Sequence, residues 1–241
     1  MLLKACLNGP RHADEHFALP MRGEALAADG LASVRCGAGA IHLHPRDDEG
    51  RESLDASVVD PAVRLVRAAC RVPVGVATGA WVEPDPARRA ALVSAWTEPD
   101  FASVNLSEQG AAEVMRALLK AGIGVEAGIW TPEEAERLGS TGLGERLTRV
   151  LVEVVIGSGD AAAARAREID AALDPLAIRA PRLHHGEGPA TWPVLRQAIS
   201  LRREIRIGLE DTLLLPDGAP AAGNAELVAA AAALRTAACP R

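Results

Sequence analysis

"AIHLHPRD", residues 40–47, is a short apolar run broken by two histidines with a single leucine between them. Side chains alternate along a strand, so positions two apart share a face. Read as a strand over 40–45, the segment projects His42 and His44 together, where they can grip one ion. It follows a helix-like stretch and ends in polar groups, as one step of an alternating strand–helix chain would. The remaining sequence repeats that step.

Short β-rich runs alternate with longer helical patterns from end to end. The strand candidates are residues 2–8, 40–45, 72–78, 101–107, 124–129, 149–156, 182–187 and 204–210. Between them lie helical stretches such as DPAVRLVRAAC (60–70), DPARRAALVSAW (85–96) and AAEVMRALLKAG (111–122). AAAARAREIDAAL (161–173), TWPVLRQAISLRRE (191–204) and NAELVAAAAALRTAA (224–238) follow. Several open on Asp, Thr or Asn followed by Pro or a small residue, which is the chemistry of a helix N-cap. Eight strands and eight helices predict a (β/α)8 TIM barrel, one domain over residues 1–241, near the usual size of ~250 residues. The rival, an open doubly wound sheet, lacks its G-x-G-x-x-G fingerprint in the first strand–helix turn.

Composition agrees with that architecture. Apolar residues make up 49% of the 241-residue chain, enough for a large core, while aromatics are only 2%. Ala, Val, Leu and Ile must fill the interior, which suits helices packed on parallel strands. A net charge of −6 and the lack of basic runs argue against a nucleic-acid or anionic-membrane surface. Cys6, Cys36, Cys70 and Cys239 form no C-x-x-C pair and read as buried thiols in a reducing compartment. There is no stretch approaching the ~20 apolar residues of a membrane span, and MLLKACLNG (1–9) lacks the long apolar region and small-residue cleavage site expected of a signal peptide. A cytoplasmic location is expected.

In such a barrel, chemistry gathers at the C-terminal ends of the strands. Those ends carry Asn8 and Arg11; His42, His44, Arg46 and Asp47; Thr78; Asn105, Ser107 and Glu108; Glu126; His184, His185 and Glu187; and Arg206, Glu210 and Asp211. Two histidines on one strand face point to a metal more than to backbone-satisfied side chains, and a catalytic zinc is often held by two His and one carboxylate. Glu210, at the end of the eighth strand, can meet them across the barrel mouth. Asp211 and Arg206 flank it, either as site residues or as an ordinary salt bridge. Glu126, alone in GVEAGI, is costly to bury unpaired, so it either bonds Arg or Lys or faces the site. His184 and His185 are adjacent and point to opposite sides, one lining the cavity and the other bonded behind it.

HLHPRD, ATGAW and the terminal RIGLEDT with its downstream NAELV resemble the β-keto acid cleavage enzymes, in order and spacing across nearly the whole chain. The resemblance implies a zinc-dependent barrel, usually a homo-oligomer (a dimer or tetramer). It also implies acyl exchange: a β-keto acid plus acetyl-CoA gives acetoacetate and a new CoA thioester. Carried over by position, His42, His44 and Glu210 match the zinc ligands, Arg206 the active-site arginine and Asp211 the acid/base aspartate. Two positions depart from the family pattern. Ala77 stands where a serine is common, so Thr78 or Ser107 would supply any hydroxyl. Arg11 stands in place of a carboxylate, which points to a substrate tail that is anionic or at least not cationic, unless Arg11 only neutralises Asp14 or Glu15. Asn105, Ser107 and Arg46 complete the substrate-binding set, with Glu126 and Thr78 beside Asp211 and Arg206 as candidate catalytic groups. A metal-dependent hydrolase, a carbon–carbon lyase or a non-catalytic metabolite-binding barrel would use the same site.

Overall fold

The computed structural model describes residues 1–238, so Cys239 lies outside the described residues. Eight parallel strands close in sequence order: β1 (Leu3–Cys6), β2 (Ala40–Leu43), β3 (Val74–Ala77), β4 (Phe101–Asn105), β5 (Gly124–Ile129), β6 (Arg149–Val154), β7 (Arg182–Gly186) and β8 (Glu204–Ile207). The ring shuts where β1 pairs with β8, Leu3 opposite Ile205 and Ala5 opposite Ile207. The helices are α1 (Glu24–Arg35), α2 (Ala56–Cys70), α3 (Pro86–Val93), α4 (Ala111–Ala121), α5 (Pro132–Ser140), α6 (Gly159–Ala172), α7 (Thr191–Ser200) and α8 (Asn224–Ala238). The fold is a (β/α)8 TIM barrel. Among the described residues no helix is long and apolar enough to cross a membrane.

Each strand lies where the sequence predicts it, and several stop short of the predicted end. There the chain's polar residues leave the ladder and bond through their side chains. Asn8, past the end of β1, donates from Nδ2 to the His44 carbonyl (2.9 Å) and accepts from the His44 N–H at Oδ1 (2.9 Å), replacing a backbone pair. Helix α2 begins four residues before the predicted Asp60, because Asp55 caps it by accepting from Ser57 N–H. Asp60 is instead inside the helix and holds the Thr97 and Glu98 N–H groups.

Strand alternation separates two interiors. Leu3, Ala5, Ile41, Leu43, Val74, Val76, Ala102, Val104, Val150, Val152, Ile205 and Ile207 belong to the apolar layer beneath the helices. The residues between them face the barrel axis, and many are polar: Lys4, His42, Ser103, Glu126, Arg149, Glu153, His185 and Arg206. Removing such groups from water is costly unless each meets a partner. Toward the strand starts they do, with Lys4 and Arg149 both paired to Glu126 and Arg149 also to Glu204. Toward the strand ends the partners are incomplete, and a cavity opens.

Candidate active site

His42 in β2, His44 just past it and Glu210 past β8 converge at that cavity. Their ligand atoms lie within 4.8 Å of one another. His42 Nε2 stands 3.7 Å from Glu210 Oε2, and His44 Nε2 3.7 Å from Glu210 Oε1. Those gaps are too long for hydrogen bonds. They come close to the roughly 3.3–3.6 Å that separates donors around a tetrahedral ion bound at ~2.0–2.2 Å. Glu210 Oε2 and His42 Nδ1 are buried without a hydrogen-bond partner. Two neutral-capable imidazoles and a carboxylate with an unsatisfied oxygen fit a divalent metal such as zinc.

The surroundings hold these groups in place. Glu52 lies 2.7 Å from His44 Nδ1, so the far side of the ring is engaged and Nε2 is left for the site. Trp81 donates from Nε1 to the same Glu52 oxygen (3.1 Å) and stacks on the His44 ring. Burial alone would lower the His44 pKa, but Glu210 and Glu52 outweigh it and hold it up at about 9. Burial keeps His42 well below its ordinary value, hence neutral. Gly9 passes Glu210 so closely that a Cβ there would lie 2.5 Å from Glu210 Cγ, and its φ of +55° suits glycine.

Arg206 reaches the cavity from β8, donating from Nη2 to Glu210 Oε1 (2.7 Å) and to Asp211 Oδ1 (2.6 Å). Asp211 itself is fully buried behind it. The cavity is about 240 Å³ and is bounded by the metal-type triad, Arg206, Ala77, Ser103, Asn105, Trp81, Trp130, Glu153 and Glu187. Trp130 donates from Nε1 to Glu153 Oε2 (2.9 Å). His185 lies between Glu153 and Asp211, 3.4 Å and 3.5 Å from their nearest oxygens.

The sequence profile of the beta-keto acid cleavage enzyme family matches residues 1–238. The chain belongs to the beta-keto acid cleavage enzyme family. No curated sequence gives a significant match. Among solved structures, ObcA in a binary complex with oxaloacetate superposes with a TM-score of 0.67 at 17% identity, covering 88% of this chain and 62% of that one. ObcA in a ternary complex with a C4-CoA adduct and oxalate gives 0.66 at 16% identity, with coverage of 88% and 62%. The chain therefore spans less than two thirds of the length of those neighbours. The N-acetylmannosamine-6-phosphate 2-epimerase of Clostridium perfringens gives 0.58 at 14% identity, with coverage of 88% and 87%. At these identities the structural likeness is one of fold.

Within this beta-keto acid cleavage enzyme family member, the structure brings His42, His44, Glu210, Arg206 and Asn105 to one cavity. The other candidates are placed elsewhere. Glu126 takes the ion-paired alternative, held by Lys4 and Arg149 near the strand starts, with no exposure. Thr78 spends its hydroxyl on the Ser103 carbonyl (2.8 Å), and Ser107 is exposed outside the cavity. Arg46 supports the loop after β1 by donating to the Gly9 and Arg11 carbonyls. Arg11 donates to the Leu209 and Glu210 carbonyls and pairs with Glu15 at 2.8 Å, so its guanidinium is occupied by the protein. His184 bonds Asp170 (3.1 Å) and Gln197 (3.3 Å) behind the barrel wall, while His185 faces inward, as their adjacency requires.

Ser103, Glu153, Glu52 and Trp130 bound or brace the site without having been singled out from sequence. Two of them carried a usable signal. Ser103 shares a strand face with Asn105, and Glu153 is a lone carboxylate in the apolar run RVLVEVVI. Glu52 and Trp130 lie just off the strands, where no periodicity marks them.

Proposed function

We propose that this chain is a zinc-dependent enzyme that exchanges acyl groups between a β-keto acid and acetyl-CoA, giving acetoacetate and a new acyl-CoA. The observation that carries this reading is the His42–His44–Glu210 triangle opening onto the same small cavity as the Arg206 guanidinium, in a chain of this family. A β-keto acid offers a carboxylate and a keto oxygen in chelating positions, and its carboxylate suits the fixed fork of an arginine. When bound, the metal supplies Lewis-acid polarisation of a carbonyl.

The chain's own residues supply the rest. Arg206 is held rigid by Asp211 and Glu210 and presents its charge to an anionic oxygen. Ser103 offers the hydroxyl that Ala77 lacks, in place of Thr78 and Ser107. Asn105, oriented by Glu108 (3.0 Å), adds a polar contact on the same strand. The complexes of ObcA, named for oxaloacetate and for a CoA adduct, support a keto acid and a CoA thioester as the ligands. With Arg11 occupied by Glu15 and backbone carbonyls, the expectation of an anionic tail loses its footing, and the tail is left to the Trp81 and Trp130 walls. A homo-oligomer rests on the family resemblance alone.

The test combines metal analysis with a panel of β-keto acids, each given with acetyl-CoA and followed by mass spectrometry. About one zinc per chain and paired formation of acetoacetate and acyl-CoA are expected. The His42→Ala, His44→Ala double variant should lose both. Turnover that proceeds without CoA, or full zinc in the double variant, would overturn the reading.

A further inference from the structure

The metal-type triad and Arg206 suit the head of a β-keto acid, and the wall across the cavity from them has its own chemistry. The barrel closes in sequence order, so β6 stands across the ring from β2 and its two histidines. Glu153 projects from β6 into the cavity. Trp130 donates to its Oε2, which leaves Oε1 without a hydrogen bond. His185 stands 3.4 Å from Oε1 and 3.5 Å from Asp211, with neither ring nitrogen in a hydrogen bond. Arg206 directs Nε and Nη2 to Asp211 and Glu210 instead.

Two more acceptors join Glu153. Asn105 on β4 gives its Nδ2 to Glu108 (3.0 Å), so its Oδ1 is turned the other way. That oxygen and Glu153 Oε1 each lie 2.7 Å from the point a Cβ on Gly128 would occupy, close enough together for one nitrogen to bond both. Glu187, just past β7, lines the same cavity from its exposed rim, and its carboxylate has no partner among the described residues. Trp130 and Trp81 bound the same space, and the indole is the side chain that attracts a cation best. A carboxylate drawn out of water with no cation beside it is costly, and a ligand that brings a positive charge removes that cost. Three oxygens, two of them on carboxylates, match the three N–H groups of a primary ammonium. Arg11, whose charge would oppose such a group, does not bound the cavity.

We propose that the β-keto acid taken by this chain carries a primary ammonium on its acyl tail, held by Glu153 Oε1, Asn105 Oδ1 and the Glu187 carboxylate across the ring from the triad. Glu153 and Glu187 are its specificity-determining residues. This rests on the acyl exchange proposed above and names the class of acid that enters it. The head of the substrate stays with the triad and Arg206, and the tail crosses the barrel mouth to β6 and β7. Glu153, buried, contributes most of the preference, while Glu187, on the wet rim, contributes less and can be altered without disturbing the core.

Three β-keto acids of equal length are the probes, their tails ending in an ammonium, a methyl and a carboxylate. Each is titrated calorimetrically into the protein without acetyl-CoA, then assayed with acetyl-CoA by mass spectrometry, and metal per chain is read for every variant. Wild type should bind the ammonium acid ~10–100-fold tighter than the methyl acid and prefer it in kcat/KM by a similar ratio, as hydrogen bonds between charged groups allow. Glu153→Gln should remove most of both preferences at unchanged metal content. Glu187→Lys, which sets a cation on the exposed rim, should make the carboxylate acid the preferred one. A wild type that binds the methyl or carboxylate acid as tightly as the ammonium acid overturns the proposal alone. So does an ammonium preference that stays within about threefold of wild type in both Glu153→Gln and Glu187→Lys. If the ammonium acid is bound tightest and no acid is turned over with acetyl-CoA, the acyl-exchange reading falls and the ammonium site stands.

Discussion

His44 has its two ring nitrogens put to different use, one facing Glu210 across the cavity and the other held by Glu52. A carboxylate on the far nitrogen fixes the ring and raises its basicity toward a metal, an effect typically worth 10–100-fold in affinity. Glu52→Gln is therefore expected to weaken zinc binding by about that factor without unfolding the protein, as measured by competition against a chromophoric chelator. Unchanged affinity would reduce Glu52 to a loop contact. The pairing of His42 and His44 was legible in the sequence because strand alternation is a local property: two apart, they must share a face. Glu52 was not legible, because it lies in the loop after β2 and reaches His44 only through the turn formed by residues 45–51.

Strands β5 and β6 each carry one carboxylate in an apolar run, Glu126 in GVEAGI and Glu153 in RVLVEV, and both turn toward the barrel axis. The signals look alike in sequence, and the registers part them. Glu126 falls opposite Arg149, the first residue of β6, and meets Lys4 from across the barrel. Glu153 falls opposite His185 near the end of β7, at the open mouth. Glu126→Gln leaves the fully buried Lys4 ammonium without its carboxylate, and breaking one partner of a buried pair costs on the order of 3–5 kcal/mol. Urea unfolding at neutral pH should record a loss of that size, while the folded fraction keeps the wild-type kcat. A loss below about 1 kcal/mol, or a selective fall in kcat, would contradict a structural role.

Closure of the whole barrel depends on contacts between the two ends of the chain. Asn224, the first residue of α8, accepts from Leu209 N–H (2.7 Å) and donates to the Leu7 carbonyl (2.8 Å) and to Asp29 of α1 (2.6 Å). It thereby ties the segments beyond β1 and β8 to both flanking helices. Burial pushes the Asp29 carboxyl up to about 6, with the Asn224 bond opposing it. The folded value lies above the ordinary aspartate value of ~3.9, so the native state favours the protonated form. Its contribution is full below about pH 4 and is lost as pH rises through about 6. Asp29→Asn, neutral throughout and still able to accept from Asn224, should match wild type at pH 4. It should be more stable by on the order of 1–3 kcal/mol at pH 8. Thermal unfolding across that range is the measurement, and a pH-independent difference would contradict it.

The sequence by itself determined the number and order of the strands, the barrel they form, and the His42, His44 and Glu210 triad. These follow from local rules: alternation along a strand, caps at helix starts, and polar groups gathered at strand ends. Only the tertiary structure decided which charged groups meet the site and which meet each other. Glu126 finds Lys4 at a separation of 122 residues, Arg11 finds the Leu209 carbonyl at 198, and Asp211 withdraws behind Arg206. A buried charge is settled by whichever partner the closed ring brings within reach, and that depends on strand register around the barrel, which no single stretch of sequence contains.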